Sequence, residues 1–166
     1  MKFEKPNKTT IALKSFFSEF TAIWYPKNFF LCTKYPFLKY HDWTGGFIGY
    51  KFTWYDEIPE GWRIAFGRQF LKDLVNALRE DKIPKYKWRK ALYFGEIKEK
   101  WGRLTISASI THSVYDVLNK YEDLSMKYCI HCGKTVSYRT KGWVTFICKD
   151  CAQRLYKEQD LEEVEK

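Results

Sequence analysis

The sequence predicts an α+β fold in which an antiparallel sheet with flanking helices is followed by a small cysteine-rich module. An apolar repeat with helical spacing covers residues 62–79, and alternating apolar and polar residues cover 90–98 and 104–110. Two C-x2-C pairs then lie near the C-terminus, fifteen residues apart. We place a domain boundary between an α+β core domain, residues 1–125, and the cysteine module, residues 126–166.

Residues 1–55 contain few regular patterns, and four segments within them can be assigned. Apolar residues recur at three- and four-residue spacing in 10–24, which predicts an amphipathic helix. Two prolines predict extended chain over 25–37, because proline stops helices and restricts the residue before it. The composition of 41–46 predicts a turn, and the alternation over 47–54 predicts a strand.

The centre of the chain has the order helix, hairpin, helix. Steps of four residues between Phe and Leu make 62–79 the clearest helix, and a basic connector with one proline follows at 81–89. The segments 90–98 and 104–110 predict a β-hairpin that is closed by 99–102. The apolar stripe of the second helix, which follows the hairpin, consists of Val114, Val117, Leu118, Tyr121 and Leu124.

Four cysteines form two tight pairs whose spacing is typical of a zinc site. A zinc ion binds four thiolates tetrahedrally, and four protein ligands leave no open position for catalysis. We therefore predict one structural zinc ion and a C-terminal four-cysteine zinc ribbon. The predicted ligands are Cys129, Cys132, Cys148 and Cys151.

The remaining residues of the ribbon predict two strands and a helix. Residues 135–138 and 143–147 have the pattern of a short antiparallel pair, and 152–164 has that of a charged helix. His131 lies inside the first cysteine pair. A site in which His131 replaces one cysteine is the weaker alternative.

The composition is basic and aromatic. The formal net charge is +9, and Phe, Trp and Tyr make up 19% of the residues. Residues 1–55 carry eight Lys or Arg and three Asp or Glu. Such a surface suits an anionic partner, such as nucleic acid, a nucleotide or an acidic protein, although solvated lysines alone give the same charge. The excess of lysine over arginine argues against base-specific recognition.

Two segments place basic residues beside aromatic rings, as surfaces that bind phosphates and stack on bases do. One segment is the basic connector and the other is the tip of the ribbon. For the connector, a solvated linker with its rings in the core is an equally weighted alternative. The candidate binding residues are Lys85, Lys87, Trp88, Arg89, Lys90, Arg139, Lys141 and Trp143.

Patterns for catalysis are weak. His41 and Asp42 could pair a base with the group that orients it, but such a dipeptide arises readily by chance. The sequence shows no pattern that would activate Cys32 as a nucleophile, and the H-x-E and P-C-x-x-C elements of zinc deaminases are absent from it. The sequence also lacks a phosphate-binding loop and a nucleophile elbow. We therefore predict a protein that is not an enzyme.

The cysteines and the hydropathy of the sequence predict the compartment in which the protein is found. Four cysteines in metal-type pairs and one odd thiol indicate a reducing compartment rather than a disulfide framework. No secretory signal is visible, and no apolar run approaches the eighteen or so residues of a membrane span. We expect a cytoplasmic protein that does not associate with a membrane.

About 110 residues at the C-terminal end carry a resemblance to a known group of proteins. The segments that carry it are GWRIAFG at 61–67, IKEKWGRL at 97–104, YEDLS at 121–125, CIHCGK at 129–134, GW at 142–143 and CKDC at 148–151. On these segments the chain resembles small zinc-ribbon proteins that are encoded by bacteriophages and prophages. That group has no assigned activity, and the resemblance implies an origin in a mobile element.

Three functions follow as expectations. Small phage accessory proteins often counter host defences, so the resemblance implies an inhibitor in the host bacterial cytoplasm that binds a defence protein, a nucleoprotein effector, RNA or a nucleotide signal. The alternative is an accessory protein that binds DNA or RNA in phage replication or transcription. An enzyme that acts on nucleic acid or nucleotides ranks last.

Overall fold

A computed structural model describes residues 20–42 and 44–164 of the chain. The described structure is a mixed α+β fold with one two-stranded and one three-stranded antiparallel sheet, as the sequence predicts. Contacts divide the chain into two compact units, one ending at Asp56 and the other beginning at Glu57. The predicted boundary at residue 125 lies inside the second unit, because the cysteine module packs against the first helix of that unit.

In the N-terminal unit, the prediction of extended chain over 25–37 is wrong. Helix α1 (Pro26–Lys34) covers most of this segment, and a 3-10 turn (Pro36–Leu38) follows it. Pro26 occupies the first helical turn, where a backbone N–H has no partner in the helix, so its ring costs no hydrogen bond. The predicted helix at 10–24 lies mostly outside the described residues, which show a 3-10 turn at Phe20–Ala22.

The predicted turn at 41–46 is present, and the carboxylate of Asp42 organises it. Asp42 accepts hydrogen bonds from the backbone N–H groups of Thr44, at 2.9 Å, and Gly46, at 3.1 Å. A side chain that accepts from the backbone two residues ahead forms an Asx turn. The carboxylate of Asp42 therefore has a structural role in this unit.

The predicted strand at 47–54 is wrong. This segment makes only isolated bridges among the described residues, one of them between Lys39 and Thr53. Gly49 has a φ of 100°, which is outside the range of a strand. The alternation of side chains in the sequence therefore comes from irregular chain in which the rings of Phe47, Tyr50 and Trp54 are buried and that of Phe52 is exposed.

The second unit contains the regular elements that position the cysteine module. In chain order they are α2 (Glu60–Trp62), a π-helical segment (Arg63–Gly67), α3 (Arg68–Glu80), a 3-10 turn (Lys85–Lys87), α4 (Trp88–Ala91), β1 (Tyr93–Lys100), β2 (Arg103–Ser109), α5 (His112–Ser125), β3 (Tyr138–Thr140), β4 (Phe146–Ile147), α6 (Lys149–Leu155), a 3-10 turn (Glu158–Asp160) and β5 (Leu161–Glu163). No described helix is both long and apolar enough to cross a bilayer.

Helix α3 confirms the helix that the sequence predicts most clearly. It packs against α5 to form the core. Phe70, Leu74 and Leu78 are buried along one face of α3, as their spacing predicts. The ring of Tyr121 on α5 lies 4.9 Å from that of Phe70. The π-helical segment before α3 adds one residue to a turn and marks the place where the cysteine module packs.

The predicted β-hairpin is confirmed, and side chains of α5 accept hydrogen bonds from backbone N–H groups of β2. Strands β1 and β2 are antiparallel, and Trp101 and Gly102 form the two-residue turn between them. Along β2, the N–H of Leu104 donates to the hydroxyl of Ser125 and that of Ile106 to the carboxylate of Glu122, both at 2.8 Å. These bonds fix α5 beside the hairpin.

The prediction of a helix over 152–164 is wrong beyond residue 155. Helix α6 ends at Leu155, and β5 pairs with β3 to complete a sheet in the order β4-β3-β5. Glu162 lies opposite Arg139 in this pairing, and their side chains form an ion pair at 2.7 Å. Two of the acidic residues that suggested a helical surface, Glu162 and Glu163, therefore lie on a strand, where Glu162 meets the basic Arg139 of β3.

We predict a pH-dependent loss of stability for Asp73→Asn. Burial raises the pKa of Asp73, but hydrogen bonds from Lys120, Tyr121 and Gln69 outweigh it, so that the pKa lies below its usual value. A carboxyl with a lowered pKa stabilises the fold above its unfolded pKa of about 4 and loses this contribution as the pH falls through the folded pKa.

Asp73→Asn should therefore lower the free energy of unfolding by about 1 kcal/mol at pH 7, with the difference shrinking below about pH 4. Chemical denaturation across pH measures this. Asp116→Asn, which changes an exposed carboxylate on α5, is the matched control and should have little effect. If Asp73→Asn lowered the free energy of unfolding by the same amount at all pH values, the lowered pKa of Asp73 would be contradicted.

Candidate metal centre

The four cysteines of the C-terminal module converge on one point. Their Sγ atoms all lie within 4.8 Å of one another, and those of Cys132 and Cys148 are 3.5 Å apart. Four sulfurs bound tetrahedrally at 2.3 Å from one ion would be about 3.8 Å apart, whereas a disulfide needs about 2.05 Å. Three of these cysteines are buried and Cys132 is half-buried. The four thiols can therefore hold one metal ion in a closed site.

Tight backbone turns place the first pair. The N–H of Cys129 donates to the carbonyl of Lys134 at 2.7 Å, and the N–H of Gly133 donates to the carbonyl of Cys129 at 2.9 Å. Gly133 has a φ of 76°, a left-handed conformation that favours glycine. This turn brings the thiols of Cys129 and Cys132 to the same side.

The start of α6 places the second pair. Cys148 is the residue before the helix, and Cys151 lies in the first helical turn. The N–H of Ala152 donates to the carbonyl of Cys148 at 2.9 Å, which closes this turn. An exposed ion pair between Lys134 and Asp150, at 2.6 Å, joins the two cysteine pairs.

The pKa values of the thiols indicate that the cluster suits a cation. Burial raises the pKa of Cys129, but backbone N–H groups of Cys148, Cys132 and His131 outweigh it and lower the pKa. Burial, and then the neighbouring thiols, raise the pKa of Cys151 to about 12. Four thiolates this close need a positive charge among them, and a bound metal ion supplies it.

His131 does not belong to the thiol cluster. Its Nε2 lies 3.1 Å from the hydroxyl of Tyr156, and its side chain is exposed. Burial, followed by the charge of Arg154, lowers the pKa of His131. The alternative in which His131 replaces a cysteine therefore has no geometric support.

The first cysteine pair packs directly on α2 through Gly61. The N–H of Gly61 donates to the carbonyl of Ile130 at 2.9 Å. A Cβ on Gly61 would lie 2.2 Å from the carbonyl oxygen of Cys129, closer than any side chain can approach. Beside it, the indole N–H of Trp62, which is 0% exposed, donates to the carbonyl of Tyr128 at 3.0 Å. The metal centre is thus part of the core of the second unit.

The sequence patterns missed this contact, because residues 56–61 have the composition of a loop. A glycine followed at once by a large apolar ring at the start of a helix is the signal that could have revealed it. Glycine allows close backbone approach, and the ring needs a buried partner for its N–H.

The predicted binding residues of the connector divide into two sets. Trp88 is buried, and its indole N–H donates to the carbonyl of Ile83 at 2.9 Å, so its prediction as a stacking residue is wrong. Its neighbour Tyr86 is 81% exposed, with the ammonium of Lys87 at 5.7 Å from its ring centre. Arg89 is half-buried, whereas the other basic residues predicted to bind, Lys85, Lys87 and Lys90, are exposed.

At the tip of the ribbon, the basic residues have partners and the aromatic residue is exposed. Arg139 pairs with Glu162, and the ammonium of Lys141 donates to the carbonyl of Gln159 at 3.0 Å. Trp143 stacks on Trp101, which the sequence patterns assigned only to a turn. A bulky residue at a hairpin position that requires positive φ is the signal that could have identified Trp101.

The weak catalytic candidates lie in structural contacts. His41 is buried, and its Nε2 accepts a hydrogen bond from the indole of Trp54 at 3.4 Å. Asp42 organises the turn described above, and Cys32 is buried in α1. Among the described residues, the four cysteines form the cluster of His, Cys, Asp or Glu side chains that is placed to hold a metal ion.

Comparisons of the chain with protein-family models, with curated proteins and with solved structures find no match. The thiol cluster, the exposed lysines and the exposed aromatic rings are therefore the features from which a function can be inferred.

We predict that Cys129→Ser and Cys148→Ser each abolish metal binding and lower the stability of the second unit. Removing one thiolate opens a closed site, and binding of a structural metal contributes directly to folding. Native mass spectrometry for metal content and thermal unfolding measure the two effects.

Cys32→Ser is the matched control, because it also removes a buried thiol but leaves the cluster intact. This control should retain one metal ion per chain. If Cys129→Ser or Cys148→Ser kept one metal ion and unchanged stability, the assignment of the ligands would be wrong.

Proposed function

We propose that the protein is a non-enzymatic nucleic-acid-binding protein whose ribbon is held by one structural zinc ion. The observation that carries the proposal is the exposed Tyr86 among the exposed lysines Lys85, Lys87 and Lys90. An exposed ring with an ammonium group beside it, as Tyr86 has in Lys87, can stack on a base while the lysines bind the adjacent phosphates. The net charge of +9 favours the same class of anionic ligand.

The chemistry of the thiol cluster supports zinc as the metal. Soft thiolate ligands in a tetrahedral arrangement select zinc or an iron–sulfur centre, and a four-cysteine ribbon with a single ion is the usual zinc case. When bound, zinc supplies the charge that keeps all four thiols deprotonated. The four cysteines fill its coordination positions, which supports a structural role.

The non-enzymatic part of the proposal is supported by what the candidate catalytic groups do. His41 binds Trp54, and Asp42 binds the backbone of its own turn. Neither group is placed as a base and nucleophile pair would be. Stoichiometric binding is therefore the activity that the exposed residues support.

We predict binding to RNA or DNA that weakens steeply with salt. Each contact between a lysine and a phosphate releases counterions, so the logarithm of the association constant falls linearly with the logarithm of the salt concentration. Fluorescence anisotropy with a labelled oligonucleotide across a salt series measures this slope.

Lys85→Gln and Lys87→Gln should each weaken binding and reduce the slope by about 0.7–0.9, the value for one phosphate contact. Lys72→Gln, on the exposed surface of α3, is the matched control and should leave both quantities unchanged. Binding that does not depend on salt, or no binding at all, would remove the proposal.

The resemblance to phage-encoded zinc-ribbon proteins suggests where such binding acts. We propose that the bound nucleic acid belongs to a nucleoprotein effector or a signal of host defence, which the protein inhibits. Plating phages on bacteria that carry different defence systems, with and without the protein, tests this. Restored plating on one system is expected, and unchanged plating across the panel would leave nucleic-acid binding in replication or transcription as the function.

A further inference from the structure

Two tryptophans of the second unit lie at the surface with their rings stacked on each other. Trp101 occupies the turn between β1 and β2, and Trp143 lies between β3 and β4. Their ring centres are 5.3 Å apart and their planes differ by 27°. Trp101 is 57% exposed and Trp143 is 65% exposed. Because indole rings are usually well buried, this pair leaves a large aromatic surface available to a ligand.

The backbone of Trp101 is held in an unfavourable conformation. Its φ is 55°, in the left-handed region that bulky residues rarely adopt. In a two-residue hairpin turn both central residues have positive φ, and small residues such as Asn, Asp and Gly are preferred there. A strained backbone that presents an exposed ring is typical of a residue with a binding role.

The neighbouring glycine fixes the turn against the ribbon. A Cβ on Gly102 would lie 2.7 Å from the ring of Phe146 on β4, so the hairpin turn and the ribbon are in close contact. This contact explains why Trp101 lies beside Trp143 although the two are far apart in sequence. The pair is therefore preformed rather than a chance meeting of two mobile side chains.

Positive charge accompanies the two rings. Lys100 is exposed and makes no ion pair within 20–42 and 44–164. Lys141 is also exposed and uses its ammonium group on one backbone carbonyl, which leaves further donors. Lys100 precedes Trp101 directly and Lys141 lies two residues before Trp143 in the sequence, which makes them the candidates to bind the phosphates that flank a stacked base.

We propose that Trp101 and Trp143 form a stacking platform for the bases of single-stranded nucleic acid. Every base has an aromatic face that can stack on an indole ring, whereas the bases of a duplex keep these faces covered by their neighbours. Lys100 and Lys141 bind the flanking phosphates. This inference rests on the proposed nucleic-acid binding and specifies its ligand as the single strand.

The test compares single-stranded and duplex oligonucleotides of one sequence, about twelve nucleotides long, by fluorescence anisotropy. Wild-type protein should prefer the single strand, and its tryptophan fluorescence should be quenched on binding. Trp101→Gly and Trp143→Ala should each weaken single-strand binding by about tenfold. Trp101→Gly should not lower the melting temperature, because glycine suits the left-handed position better than tryptophan.

Two controls separate stacking from other effects. Trp101→Phe keeps an aromatic face and should retain most of the affinity. Trp24→Ala removes an exposed tryptophan of the N-terminal unit and should leave the affinity unchanged.

Equal affinity of Trp101→Gly, Trp143→Ala and wild type for the single strand would overturn the inference, as would a wild-type preference for the duplex. In both cases nucleic-acid binding itself would stand. Wild-type protein that binds neither form would overturn the inference and the proposed function together.

Discussion

The contact between Gly61 and the first cysteine pair is the constraint on which the second unit depends. Only a residue without a side chain lets α2 approach within hydrogen-bond distance of the carbonyl of Ile130. The approach buries Trp62, whose indole N–H finds its acceptor at Tyr128 in the same turn. Because the helix continues through a π-helical segment into α3, the position of the metal centre is linked to the main core.

A second constraint on the metal centre is the electrostatics of its four thiols. Burial and the neighbouring thiols raise the pKa of Cys151, and a bound cation would favour its thiolate. We therefore expect folding of the ribbon to be coupled to binding of a metal ion. The same turns that gather the thiols also support the tip that carries Trp143 and the contact with the hairpin turn at Gly102. We therefore expect the candidate binding surface to depend on a metal ion bound by the four cysteines.

The sequence predicted the features that depend on local pattern and missed those that depend on distant contacts. The cysteine spacing, the α3 repeat and the hairpin alternation each reflect the geometry of one element, so these predictions are confirmed. The acidic end of the chain looked helical because its partner Arg139 lies more than twenty residues away on β3. The stacking of Trp101 on Trp143 was missed for the same reason, because the two rings are far apart in sequence.

The most direct test of this account compares the stability and metal affinity of Gly61→Ala with those of Gly95→Ala. Alanine in an unobstructed helix stabilises a protein by about 0.5–1 kcal/mol relative to glycine. We predict the opposite sign at Gly61, a loss of about 1–3 kcal/mol together with weaker metal binding, because the new methyl group meets the backbone of Cys129. At Gly95 the nearest atom would be 3.5 Å away, so little change is expected. A Gly61→Ala variant that is more stable than wild type and binds metal equally well would contradict the account.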